Sequence, residues 1–183
     1  EEKTFNIADL QTFYALSKKE FDSNPDFAKA AYEKVVLLQT GDPYIVKAWN
    51  YIKEVSRQAY NEIYQKLDIH ITECGESFYQ SRIPAMIAEL ESSEPPIMIV
   101  EDGRKIIRVP GEDLVLTVQK SDGGYTYDTT DLAAVRYRLK EIQPRLNKVI
   151  YVVDSGQAKH FELIFWVAKR MGWLSTPILS QQP

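Results

Sequence analysis

Val149-Ile150-Tyr151-Val152-Val153 is apolar on both faces. Asp154-Ser155-Gly156 breaks the run directly before a strongly apolar helical stretch that stops at Gly172. Alternation on one face would describe a half-buried strand; apolar residues on both faces describe a strand with layers packed above and below it, as in a central parallel strand. Strand, glycine turn and helix in that order make one unit of an open α/β sheet, and ligands of such sheets sit beyond the carboxyl ends of the strands. The chain therefore reads as α/β, and its strand-to-helix junctions are the first places to look for a site.

Upstream, the sequence is punctuated by helix signals. Asn6 can cap a helix over "NIADLQTFYALSKKEF", with Ile7, Leu10, Tyr14 and Phe21 near helical spacing. Asn24-Pro25 opens a second helix and Gly41 stops it; Asp42-Pro43 opens a third, running to about Lys66. The second and third starts each pair a capping side chain with a proline at the first helical position, where a missing N–H loses nothing. "LDIHITECGES" reads as a short strand ending in a glycine turn, with His70 between two isoleucines as a strand residue facing solvent or a polar layer. "SRIPAMIAELESSEPP" reads as a helix ended by Pro95 and Pro96. Asp102-Gly103 between two β-branched runs reads as a hairpin turn, and "LVLTVQK" supplies a third strand by alternation.

A second junction lies in "KSDGGYTYDTTDLAAVRYRL", residues 120–139, where a helix is expected from Thr129 or Thr130. Parallel strands would set both junctions on one rim. Tyr127 and Asp131 are four apart across the helix start, and a carboxylate lined by a phenol suits a cation, above all a planar guanidinium. Gln157 opens the other junction and offers an amide oxygen, while the helix N-terminus there favours an anion. The plainer reading stands beside it: an Asp near a helix start is favourable through the helix dipole alone.

Other chemistries lack their motifs. G-x-G-x-x-G, GxxxxGK and G-x-S-x-G are absent. Asp154, Ser155 and His160 crowd one short stretch with nothing to orient them as a triad. Cys74 reads as a buried or idle thiol, and Trp49, Trp166 and Trp173 as core residues. With one cysteine no internal disulfide forms, which fits a reducing compartment. Cys74, His70 and His160 make poor structural-zinc material, so no metal site is expected. The net charge of −4 argues against a generally basic, nucleic-acid-coating surface. No apolar run approaches the roughly 20 residues that cross a bilayer, so no membrane role is expected.

"LTVQKSDGGYTYDTTDLAA" followed by "IYVVDSGQAKHFELIFWVAKRMGW" resembles the catalytic domain of arginyl-tRNA synthetases, closest to the eukaryotic cytosolic type. "GDPYIVKAWNYIKEVSRQ", "GESFYQSRIP" and "EDGRKIIRVPG" look like the same family in the same order, so the resemblance covers roughly residues 5–173. It implies a class I, partial Rossmann-type parallel sheet with a helical N-terminal segment and a helix-plus-β-hairpin insertion. Residues 1–42 would be the helical insertion segment, 43–76 and 121–174 two parts of the catalytic domain, 77–120 the second insertion and 175–183 a loose tail.

The resemblance further implies a cytoplasmic ligase that activates L-arginine with ATP and magnesium as substrates, then transfers it to tRNA(Arg). Its arginine contacts fall on Tyr127, Asp131 and Gln157; no catalytic residue is assigned and His160 stays open. An H-I-G-H-type motif, a K-M-S-K-S-type loop and an anticodon-binding domain are not in this sequence, and "LSTPILSQQP" after Trp173 departs from the family. The chain is thus expected to be an internal section, inactive alone and with no tightly bound cofactor. An open sheet edge could drive self-association. The alternative is a non-catalytic truncated product or paralogue acting as a protein-interaction module.

Overall fold

The computed structural model describes residues 6–142 and 148–174, and the chain divides into two compact units, Glu1–Glu73 and Cys74–Pro183. The tail expected over 175–183 lies outside the described residues.

The first unit is three helices, α1 (Ile7–Ser23), α2 (Pro25–Thr40) and α3 (Pro43–Lys66), in mutual contact. Their boundaries follow from the capping chemistry. Asn6 accepts the amides of Ala8 and Asp9, Asn24 those of Asp26 and Phe27, and Asp42 those of Tyr44 and Ile45. Gly41 closes α2 at φ +86°, the left-handed conformation glycine adopts without steric cost. No residue of the three helices is buried within this chain; Trp49, expected in the core, is half-buried under the Lys53 ammonium at 4.3 Å. Residues 68–72 form no strand. Their backbone finds no ladder among the described residues, and Arg57 reaches Glu73 at 2.9 Å instead. His70 is exposed beside Asp68, and Cys74 is exposed rather than buried.

The second unit holds the core. A short helix α4 (Glu76–Tyr79) and a 3-10 turn lead into α5 (Ile83–Glu91). Strands β1 (Met98–Glu101), β2 (Arg104–Arg108) and β3 (Val115–Gln119) follow, then α6 (Tyr127–Arg136), continued by a π-helical turn to Ile142, and α7 (Ala158–Arg170). Ile83, Met86, Leu90, Ile107, Leu116, Leu132, Ile164 and Val167 close the interior between these elements. Burying each such side chain contributes roughly 1.5–3 kcal/mol. Trp173 is buried as expected and Trp166 packs against the core's edge.

Glu89 on α5 pins three elements to one carboxylate. It accepts from Arg136 Nε at 2.6 Å, Lys140 Nζ at 2.8 Å and Trp173 Nε1 at 2.7 Å. Burial disfavours its charge, but the three donors and the Arg136 charge prevail and bring its pKa down to about 2.

The expected Rossmann-type parallel sheet is not formed among the described residues; the observed sheet is the expected hairpin joined by a third strand. It is three-stranded and antiparallel in the order β1-β2-β3, with Asp102 and Gly103 at φ +50° and +74° in the two-residue turn. Residues 149–153 form no parallel strand; Ile150 is 71% and Val152 92% exposed. A parallel strand takes hydrogen bonds from neighbours distant in sequence, and no described residue of this chain lies alongside.

Between β2 and β3 the register slips: Lys105 pairs with Gln119 but Ile106 with Thr117, leaving Val118 as the extra residue of a bulge. That bulge prepares the site.

Candidate functional site

The first turn of α6 is stitched to β3 by side chains. Thr117 donates its N–H to Asp128 Oδ2 at 2.7 Å, and its carbonyl accepts the Thr126 hydroxyl. The bulged Val118 turns its carbonyl to the Thr129 hydroxyl at 2.6 Å, and Thr129 Oγ1 accepts the Thr126 amide at 3.1 Å. The outer edge of β3 is thereby satisfied by helix-cap chemistry instead of a fourth strand. These bonds also fix where the helix begins. Its N-cap is Thr126 and its first residue Tyr127, two or three positions before the expected start at Thr129 or Thr130, so Asp131 sits in the second turn and not at the start.

Tyr127 and Asp131 are one helical turn apart on one face of α6. His160, in the first turn of α7, enters between the two helices. Its Nε2 lies 2.8 Å from Asp131 Oδ2, and its Nδ1 faces Asp128 Oδ1 at 3.3 Å. The Tyr127 ring stands 4.9 Å from the imidazole, and Phe161 backs it at 5.0 Å. The side chains grade from inside to outside: Asp128 is buried, His160 nearly so, Asp131 34% exposed and Tyr127 64% exposed.

Charge follows that gradient. Burial pushes the Asp128 carboxyl above its usual range, and the nearby Asp131 charge adds to this; the Thr117 N–H and His160 pull the other way. Asp128 first, then partial burial and Asp131, hold the Tyr127 phenol above its usual range, so it remains an O–H at neutral pH. Asp131 is the outward-facing carboxylate. Among the described residues His160 engages its Oδ2, and no described residue donates to Oδ1.

The structure thus brings Tyr127 and Asp131 together around His160. Gln157 is exposed in the 3-10 turn Ser155–Gln157, one turn ahead of His160. Asp154 and Ser155 do not join His160 in a triad: the Asp154 carboxylate accepts the Gly156 amide at 2.8 Å. Sequence reasoning passed over Asp128, which reads as one more helix-start acid until β3 is laid beside it. Among the described residues no group of three His, Cys, Asp or Glu side chains is arranged to hold a metal ion.

Behind the site, Arg138 sits between two phenols, donating to Tyr151 at 2.9 Å and Tyr79 at 3.1 Å. Tyr151 packs against Phe161 at 5.0 Å, which connects the apolar segment 149–153 to the back of the His160 helix.

The sequence profile of class I tRNA synthetases (R), catalytic domain, matches residues 1–181. The chain is 54% identical over 167 residues to the cytoplasmic arginine–tRNA ligase of Rattus norvegicus, covering 91% of this chain and 25% of that protein. It is 52% identical over the same length to the cytoplasmic arginine–tRNA ligase of Homo sapiens. It is 47% identical over 173 residues to the probable cytoplasmic arginine–tRNA ligase of Caenorhabditis elegans. The fold matches the crystal structure of arginyl-tRNA synthetase from Plasmodium falciparum with a TM-score of 0.74 and 32% identity, over 94% of this chain and 28% of that one. The chain spans about a quarter of the length of the curated relatives it matches.

Proposed function

The chain belongs to the family of class I tRNA synthetases (R), catalytic domain, and we propose that it supplies the amino-acid side-chain pocket of a cytoplasmic ligase. That ligase activates L-arginine with ATP and magnesium and transfers it to tRNA(Arg). The observation that carries the reading is Asp131: a partly exposed carboxylate, held on one oxygen by His160 and standing beside an exposed phenol. A guanidinium presents parallel N–H donors in a rigid fork, and a carboxylate is its natural acceptor. Tyr127 adds its O–H and ring to the same ligand, and Gln157 an amide oxygen from the α7 side. Lysine, a point charge on a flexible stem, would satisfy fewer of these acceptors.

The pocket's contribution is orientation and selection. Charge-assisted bonds to a partly desolvated carboxylate hold the far end of the amino acid, so that its own carboxylate reaches ATP bound by groups elsewhere in the longer protein. Residues 149–153 belong, in this reading, to a Rossmann-type parallel sheet whose other strands come from that longer protein. Residues 77–120 are then an insertion whose strand β3 doubles as the seat of α6. The relatives' cytoplasmic names support a cytoplasmic site of action; no described helix is long and apolar enough to cross a membrane.

The test is arginine-dependent ATP–pyrophosphate exchange by the longer protein. Asp131→Asn should raise KM for arginine about a hundredfold or more, the scale of breaking a desolvated charge pair, with KM for ATP unchanged. An unchanged KM for arginine would overturn the pocket assignment.

A further inference from the structure

We infer that His160 is a positioning residue for amino-acid recognition: it fixes the rotamer of the Asp131 carboxylate and leaves Oδ1 as the face presented to the ligand. The inference rests on the pocket reading above and adds to it a residue that touches no substrate.

The geometry forms a continuous relay. β3 fixes Asp128 through the Thr117 N–H at 2.7 Å. Buried Asp128 faces His160 Nδ1 at 3.3 Å, and His160 Nε2 meets Asp131 Oδ2 at 2.8 Å. A free aspartate side chain on a helix surface rotates its carboxylate broadly about its terminal torsion. Here one oxygen is claimed by a ring packed against Tyr127 at 4.9 Å and Phe161 at 5.0 Å.

Which nitrogen carries the proton matters, because only an N–H toward Asp131 orients that carboxylate attractively. The hydrogen bond of the ring is the one between Nε2 and Asp131 Oδ2, while Nδ1 faces Asp128 Oδ1 at 3.3 Å; the positioning role takes Nε2 as the donor. Asp128, itself held by β3, helps to set the ring angle of His160, as an outer carboxylate orients a metal-bound histidine. Gln157, one turn earlier in the same chain segment, shares the local frame that His160 anchors. Fixing the imidazole therefore fixes the α7 end of the pocket relative to the α6 end.

The experiment uses the longer enzyme with five variants, measuring KM for arginine, KM for ATP and kcat in pyrophosphate exchange. His160→Ala should raise KM for arginine about ten- to a hundredfold, the scale seen when an outer partner that orients a binding group is removed. KM for ATP should stay within about twofold. His160→Phe keeps the ring packing without donors and should behave like the alanine variant. His160→Gln, which can still donate an N–H to Asp131, should recover most of the loss. In an Asp131→Asn background, His160→Ala should add little, since its effect runs through that carboxylate.

If His160→Ala leaves KM for arginine unchanged while Asp131→Asn raises it, the positioning role is overturned and the pocket stands. If Asp131→Asn leaves KM for arginine unchanged, the pocket falls and the positioning role with it. Parallel losses in all three constants, no rescue by glutamine, or full additivity with Asp131→Asn would each overturn the role by showing a merely structural histidine.

Discussion

Thr117 and Asp128, eleven residues apart, are joined by a 2.7 Å hydrogen bond from a strand amide to a buried carboxylate. That bond ties the edge of the sheet to the first turn of α6. Asp128→Ala would leave the Thr117 N–H without an acceptor and should destabilise the unit by about 1–3 kcal/mol. Asp128→Asn keeps an acceptor and should cost less. Hydrogen exchange at the Thr117 amide in the intact protein checks both: fast in the alanine variant, protected in the asparagine one.

Thr129 is fully buried, donates to Val118 and accepts from Thr126. Thr129→Val keeps the shape but orphans a carbonyl and an amide, at a cost of about 1–3 kcal/mol. Urea denaturation of the intact protein should show a larger loss than Thr130→Val, whose hydroxyl makes only a long bond of 3.4 Å.

Glu89 gives the fold an acid-labile joint. Its pKa is lowered to about 2 from an unperturbed 4.5, so the folded state favours the ionised form. The stability this carboxylate contributes is fully present above about pH 4.5 and disappears as pH falls toward about 2. Glu89→Gln should flatten that limb of a stability–pH curve. At neutral pH it should cost about 1–2 kcal/mol, discounted because the side chain is a quarter exposed. Urea midpoints of the two proteins between about pH 6 and about pH 3 provide the comparison.

Tyr127→Phe should keep the ring against His160 and lose only the hydroxyl. The residue is largely exposed, so stability should not change. KM for arginine should rise about three- to tenfold, the value of a neutral hydrogen bond. An effect on ATP instead would place the phenol elsewhere.

Local chemistry was legible in the sequence. Asn24-Pro25, Asp42-Pro43, Gly41 and Asp102-Gly103 all do what their residue types require over a few neighbouring positions. Residues 68–72 and 149–153 read as strands but form none among the described residues, because a strand is completed by whatever pairs with it, and that partner is not encoded in the strand. The Tyr127–Asp131 spacing was readable, but the helix start was not. Thr126 became the cap because β3 lies against it, a contact the local pattern of "TYDTTD" does not contain. His160 was noticed without a role for the same reason: its neighbours Asp128 and Asp131 lie about thirty residues away in the chain.

The bulge at Val118 sets the phase of β3. Successive residues of a strand turn their amides to opposite sides, so a slip of one residue would aim the Thr117 N–H away from α6 and leave Asp128 without its anchor. The hairpin thus acts as the datum from which Asp128 and the start of α6 are placed. Substitutions in β2 or the Asp102-Gly103 turn should therefore surface as relaxed discrimination between amino acids before they surface as unfolding.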